Sequence, residues 1–107
     1  MHTIFDILEK IEKLPGLYIG RDPSQRAAQL QDIEMLIYGY ALAIDLHNID
    51  EPGKDFSRQF SNYLFNKYKW SQSCGPVAAI REAAGDDDKA WDMLWRLIRE
   101  YRTSIGL

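Results

Sequence analysis

The chain has 107 residues, 46% of them hydrophobic and 27% charged, and it carries a formal net charge of −3 at pH 7. The length favours a single folded domain, and the composition excludes the disordered and fibrous classes of protein. The acidic balance disfavours nucleic acid as a partner, because phosphate contacts need clustered Lys and Arg side chains, and it fits a basic partner better.

The first predicted element is a helix over residues 3 to about 13. Thr3 and Asp6 have the spacing of a capping box, with Asp in place of the usual Glu. The apolar residues that follow recur at helical spacing and predict one buried face, formed by Ile4, Leu8 and Ile11 with Phe5 and Ile7 beside them.

A turn whose conformation is set by proline and glycine, over residues 14–20, follows this helix. Pro15 restricts the backbone, and Gly16 and Gly20 can adopt positive φ without steric cost. The residues between the glycines, 17–19, are too apolar for a solvated connection. We therefore expect Leu17, Tyr18 and Ile19 to fold back onto the helices as a plug in the core.

The longest predicted element is a helix over residues 24 to about 47, with Asp22 as its cap and Pro23 at the first helical position. Its apolar stripe holds Leu30, Ile33, Ile37, Tyr40, Ala41 and Ile44, and Leu36 widens it. We therefore expect other helices to pack along more than one side of it. Gly39 costs such a helix about 1 kcal/mol relative to alanine, unless a neighbouring backbone approaches it.

Three shorter helices complete the pattern. The turn 48–53 precedes a helix that begins at residue 54 or 55, ends at 68 and has an aromatic buried face. Pro76 begins the next helix and Gly85 ends it. The last helix follows the aspartates 86–88. Its apolar residues recur at steps of three and four, at Trp91, Leu94, Ile98, Tyr101 and Ile105.

No segment alternates polar and apolar residues between hairpin turns, so no strand is predicted. The elements together predict an all-α fold, a compact bundle of about five helices with a long central helix. We expect residues 1–107 to form one helical domain.

The sequence carries little that could catalyse a reaction. A nucleophilic site needs a base beside its Ser or Cys, but Cys74 has only His2 and His47 as candidate partners. The residues around the end of the long helix lack a recognised metal-ligand spacing; they are Asp45, His47, Asp50 and Glu51. Glycine-rich phosphate loops do not occur. We predict no enzyme, no metal and no cofactor, and a small enzyme using Cys74 and His47 is the last alternative.

The cysteine count and the hydropathy pattern indicate a compartment. A single cysteine cannot form an intramolecular disulfide, which favours a reducing environment. The chain begins without the basic and uninterrupted apolar segment of a signal peptide, and no stretch is apolar over the length of a membrane span. We therefore expect a cytoplasmic protein that does not contact membranes.

Two acidic clusters supply the candidate partner-binding residues. The larger one surrounds the start of the last helix and comprises Asp86, Asp87, Asp88 and Asp92. Helix N-termini favour Asp for capping alone, but three consecutive aspartates exceed what a cap requires. Trp95 lies at the edge of the apolar stripe of this helix, as either a core residue or an interface anchor. Asp45, Asp50 and Glu51 form the second cluster.

One motif supports a family resemblance, the turn Pro-Gly-Leu-Tyr-Ile-Gly at residues 15–20. Gyrase-type ATPase domains carry a similar turn, but their Asp-x-Gly-x-Gly motif is absent here. With the long helix, the aromatic helix and the acidic last helix, the turn is similar to small bacterial immunity proteins of polymorphic toxin systems, including contact-dependent growth inhibition. That resemblance implies a protein without catalytic residues that covers the active site of a cognate toxin.

The residues and the resemblance together predict an immunity protein that binds and neutralises a basic toxin domain, a nuclease such as an RNase. Carboxylates and aromatic anchors can fill a nuclease cleft by imitating phosphate and base. The alternative is a regulatory or adaptor module without catalytic activity that binds another protein, or a second copy of itself through the aromatic face. The sequence leaves the toxin's reaction and the oligomeric state open.

Overall fold

The computed structural model describes residues 3–107, and His2 lies outside them. Among these residues there are six α-helices, two short 3-10 segments and no β-strand, so the all-α prediction is confirmed. This is one helix more than the five predicted, and the additional one is a single turn within the segment 14–20. The helices are α1 (Ile4–Lys13), α2 (Pro15–Tyr18), α3 (Arg26–Leu46), α4 (Phe56–Tyr68), α5 (Pro76–Ala84) and α6 (Asp87–Ser104).

The chain divides into two compact units, Met1–Ser57 and Arg58–Leu107, with the boundary in the first turn of α4. That residues 1–107 form one domain stays a prediction. The first unit has ten acidic and five basic side chains, a net charge of −5, whereas the second has six acidic and eight basic, a net charge of +2. The acidity of the protein therefore belongs to its first unit.

The start of α1 is fixed by the capping box that the sequence predicts. The Thr3 hydroxyl oxygen accepts a hydrogen bond from the Phe5 N–H at 3.3 Å, and the Asp6 carboxylate accepts one from the Thr3 N–H at 2.7 Å. Phe5 packs edge to face on Phe56, with ring centroids 5.6 Å apart. The buried face of α1 consists of Ile4, Phe5, Leu8 and Ile11, as expected.

The turn after α1 differs from the prediction. Pro15–Tyr18 form α2, in which no residue is buried. Leu17 is 72% exposed and Tyr18 is 43% exposed, while Ile19 is half-buried. The core plug expected from these three side chains is therefore wrong. The segment winds into a helical turn whose side chains radiate outward, and it does not extend across the core. Of the two glycines, only Gly20 has a positive φ, at 68°.

The loop between α2 and α3 is tied to the first turns of α3. Asp22 caps the 3-10 segment before α3 by accepting a hydrogen bond from the Ser24 N–H at 2.8 Å. Gln29 is fully buried, and its Nε2 donates to the Arg21 carbonyl oxygen at 3.0 Å. The Arg21 Nε in turn donates to the Asp32 carboxylate at 2.6 Å. Asp22 is therefore a cap, but of the 3-10 segment and not of the long helix as predicted, because α3 begins only at Arg26 with Gln25 as its N-cap.

In the second unit the predicted helix ends are confirmed. Pro76 begins α5, and Gly85 ends it in the left-handed conformation with φ of 88°. Asp86 caps α6 by accepting a hydrogen bond from the Lys89 N–H at 2.8 Å. The apolar pattern of the last helix extends in the sequence to Ile105, but α6 ends at Ser104 and the Ile105 side chain is 43% exposed. The buried face of α6 includes Trp91, Leu94, Trp95, Leu97, Ile98 and Tyr101.

Glu100 links α6 to α4 through one carboxylate oxygen. This oxygen accepts hydrogen bonds from the Tyr63 hydroxyl at 2.6 Å and the Tyr68 hydroxyl at 2.9 Å, and it forms an ion pair with Lys67. The Lys67 ammonium, followed by the Tyr63 hydroxyl, lowers the pKa of Glu100 to about 2. Burial, and then the hydrogen bond to Glu100, raises the pKa of Tyr63. The ionised carboxylate therefore stabilises the packing of these two helices.

Candidate protein-binding surfaces

One face of α3 is apolar and exposed to solvent. Ile33, Ile37 and Ile44 are buried on the inner face. At 3.6 residues per turn, four large apolar side chains fall on the opposite face. We call them the α3 stripe: Met35 (69% exposed), Tyr38 (44%), Leu42 (62%) and Leu46 (71%). The expectation that other helices pack along more than one side of this helix is therefore wrong. Adjacent exposed side chains of this size make this face a candidate interaction surface.

The α3 stripe was missed because α3 is apolar on both faces, so its periodicity does not point to one buried side. The sequence signal that could have identified the α3 stripe is the spacing of its four residues, which follow one another at steps of three, four and four. Gly39 lies exposed between Tyr38 and Leu42, and a Cβ atom at its position would meet nothing within 4 Å. No part of the described chain approaches Gly39, so its cost to helix stability is unexplained within the protein.

Two predicted partner-binding residues lie exposed at the C-terminal end of α3. Asp45 is in the last turn, 3.5 Å from the Lys54 ammonium, and Asp50 lies in the turn beyond it. The free carbonyl groups of a helix C-terminus favour cations, so a carboxylate there costs about 0.3–1 kcal/mol. The last turn of α3, all of it within the described residues, holds no Lys or Arg. This end therefore carries negative charge that helix stability does not require.

Glu51 has a different role from the one predicted for it. It is buried, its Oε1 accepts a hydrogen bond from the Gly53 N–H at 3.0 Å, and its Oε2 accepts one from the Ile4 N–H at 3.0 Å. Burial, followed by a hydrogen bond to Glu51, raises the pKa of Tyr40. Glu51 therefore joins the start of α1 to the segment after α3, which gives it a structural role, and its assignment as a partner-binding residue stays a prediction.

The acidic turn before α6 is partly explained by the fold. Asp86 is the N-cap, and Asp87 accepts hydrogen bonds from the Arg81 Nε at 2.8 Å and Nη2 at 3.3 Å. Asp88 and Asp92 are exposed. Carboxylates at a helix N-terminus stabilise the helix, so each of the aspartates in the first turn has a structural reason to be there.

Trp95 is buried, with 3% of its surface exposed, and its ring packs edge to face on Trp91 with centroids 5.2 Å apart. This burial favours the core alternative for Trp95, and its assignment as a partner-binding residue stays a prediction. Because α6 packs against α5 within the second unit, the buried face of α6 is wider than the predicted stripe and includes Trp95. The sequence pattern predicts Trp95 at the edge of the buried face of α6, whereas in the structure it lies within that face.

Cys74, the candidate nucleophile, is exposed in the turn before α5. Among residues 3–107, no three His, Cys, Asp or Glu side chains lie close enough to hold a metal ion. The same part of the chain contains no helix with both the length and the apolar character that crossing a bilayer requires.

In comparisons with known proteins, the chain matches no family model, no curated protein and no solved structure.

Proposed function

We propose that this protein is an immunity protein that binds a basic toxin domain, a nuclease, and blocks its active site with the carboxylates at the C-terminal end of α3. One observation carries the proposal. Asp45 is exposed in the last turn of α3, where a carboxylate lowers helix stability, and Asp50 is exposed beyond the end of the helix. The ion pair of Asp45 with Lys54 is exposed and offsets little of that cost, so the carboxylate at this position points to a functional role.

The charge of the first unit supports a basic partner. Its net charge of −5 creates a negative potential that accelerates association with a positively charged surface. Nuclease active sites are basic because they bind phosphate, and exposed carboxylates can occupy the same positions. The similarity of the turn at residues 15–20 to bacterial immunity proteins supports a toxin as the partner.

The acidic turn before α6 is the weaker of the two candidate surfaces. Its first three aspartates occupy positions where carboxylates stabilise a helix, and Asp87 is paired with Arg81. Helix stability therefore accounts for these residues without a partner. Asp88 and Asp92 remain useful as a matched comparison, because they are exposed and carry the same charge as Asp45 and Asp50.

The experiment begins with co-purification of the chain and the product of its neighbouring gene, and then measures their binding kinetics at low and high salt. We expect the double variant Asp45→Lys and Asp50→Lys to lower the association rate constant by about tenfold or more at low salt. The salt dependence of that rate should also decrease. The variant loses the exposed ion pair of Asp45 with Lys54, which contributes little, and gains a cation at a helix C-terminus, so the melting temperature should change little. A loss of binding would therefore not reflect unfolding.

The double variant Asp88→Lys and Asp92→Lys is the matched control, and we expect its association rate to stay within about threefold of the parent. If this control loses binding and the first variant does not, the end of α3 is the wrong surface. If the chain neither captures the neighbouring gene product nor protects cells that express it, the immunity function is rejected.

A further inference from the structure

We propose that the α3 stripe is the interface of a homodimer in which the α3 helices of two copies pack antiparallel. The stripe lies within the first unit, and its four large side chains are 44–71% exposed in the single chain. Its residues span twelve positions, from Met35 to Leu46, or about 16 Å of helix. The inference does not depend on toxin binding.

The spacing of the residues defines the register of this pair. Met35, Gly39, Leu42 and Leu46 follow one another at steps of four, three and four, which is the a/d pattern of a coiled coil. In an antiparallel pair centred between residues 40 and 41, Gly39 lies opposite Leu42 of the second copy, and Met35 lies opposite Leu46. The notch at Gly39 then receives the Leu42 side chain, and the two flanking layers pair large apolar side chains.

Gly39 is the second observation that points to a closely packed helix. Nothing lies within 4 Å of the position that a Cβ atom would take there. Glycine inside a helix is unfavourable unless another backbone or a large side chain approaches it closely. No segment of the described chain does so, whereas Leu42 of a second copy would fill the space. The dimer therefore accounts for a residue that the single chain leaves unexplained.

The exposed area is sufficient for a weak, specific dimer. At about 200 Å² for a fully exposed side chain of this size, the exposed fractions correspond to roughly 500 Å² on one copy. A symmetric pair would then bury about 1,000 Å² in total, which is the lower limit for specific association. We therefore expect a dissociation constant in the micromolar range.

Charge favours a second copy over a basic partner as the occupant of this stripe. From residue 35 to residue 44 no side chain is charged, and the nearest carboxylates, Glu34 and Asp45, flank the segment. A basic partner would be recognised by carboxylates, whereas a stripe of uncharged side chains fits an identical stripe. Two acidic units repel one another, so added salt should strengthen the dimer. A charge-driven contact with a basic partner would weaken instead.

The first test is sedimentation of the full chain from roughly 5 to 500 µM at two salt concentrations. We expect mass to shift from one chain to two over this range, and to shift further at higher salt. Leu42→Glu should raise the dissociation constant by about 30-fold or more, with an unchanged far-UV spectrum. Phe65→Glu, at a half-exposed position on α4, is the matched control and should have no effect. A chain that is monomeric throughout, or a dimer that survives L42E, overturns the proposal.

The second test examines the antiparallel register by disulfide formation in a C74S background. A mixture of the single variants G39C and L42C should cross-link under mild oxidation, and so should a mixture of M35C and L46C. Neither G39C nor L42C should cross-link alone, because identical residues are offset by three positions in this register, too far for a disulfide. Cross-linking of G39C with itself, or failure of both mixtures, rejects the antiparallel arrangement.

Discussion

Replacing the buried carboxylate of Glu51 tests whether it holds the first unit together. Its two oxygens accept hydrogen bonds from the backbone N–H groups of Ile4 and Gly53, each at 3.0 Å. In Glu51→Ala both N–H groups lose their acceptor, and both hydrogen bonds are buried in the parent. An unpaired buried donor costs about 1–3 kcal/mol, so we expect a loss of about 3 kcal/mol in the free energy of unfolding.

A graded series of variants sharpens this prediction. Glu51→Gln keeps one acceptor oxygen and directs an amide N–H group at the other donor. It should therefore cost about half as much as the alanine variant, roughly 1.5 kcal/mol. Asp50→Ala removes the adjacent but exposed carboxylate and should stay within about 0.5 kcal/mol of the parent.

The assay is urea denaturation followed by two signals. All three tryptophans, at positions 70, 91 and 95, belong to the second unit, so their fluorescence reports that unit, whereas far-UV circular dichroism reports both. The Glu51 variants should move the dichroism transition to lower urea in the order Ala, Gln, parent. If Glu51→Ala is as stable as Asp50→Ala, the buried carboxylate does not hold the unit together and the reasoning is refuted.

Three further predictions concern single positions. Gly53→Ala should lower the free energy of unfolding by about 2 kcal/mol or more, because its Cβ would clash with a Glu51 carboxylate oxygen and the Tyr40 ring. Gly39→Ala should raise it by about 1 kcal/mol, because nothing lies near the added Cβ and alanine favours the helix. Equal effects of the two substitutions in thermal melts would contradict both predictions. The lowered pKa of Glu100 means that its carboxylate stabilises the fold above about pH 4.5, and this contribution is lost as pH falls towards 2. The urea midpoint of Glu100→Gln should therefore fall less over that interval than the parent midpoint, and parallel curves would count against the linkage. Trp95→Ala should lower the free energy of unfolding of the isolated protein by about 3–5 kcal/mol, because the side chain is buried. A melting temperature equal to that of the parent would contradict this burial.

The local features of the fold could be predicted from the sequence because each depends on a few adjacent residues. Thr3 and Asp86 cap helices as expected, Asp22 caps the 3-10 segment that precedes α3, and Gly85 ends α5. These side chains act on backbone groups within about four positions, so the chain pattern alone identifies them.

The candidate sites depend on tertiary contacts, and there the sequence pattern was insufficient. The apolar character of Leu17 predicted burial, but hydropathy does not say whether a segment extends over the core or winds away from it. An acidic residue in a turn, Glu51, resembled a surface charge because its donor at Ile4 lies 47 positions away. Periodicity alone could not decide which face of α3 is exposed, because apolar residues occur at helical spacing on both of its faces. Which face is buried is decided by packing.

The absence of buried side chains in α2 has a practical consequence. Its one turn is held by backbone hydrogen bonds of 2.9–3.3 Å to the carbonyls of Leu14 and Pro15, with Leu17 and Tyr18 exposed. Opening it therefore sacrifices little stability, and a protease that prefers large apolar or aromatic residues should nick the folded protein here first. The same turn is the place to insert an epitope tag or a fluorescent label without disturbing either unit.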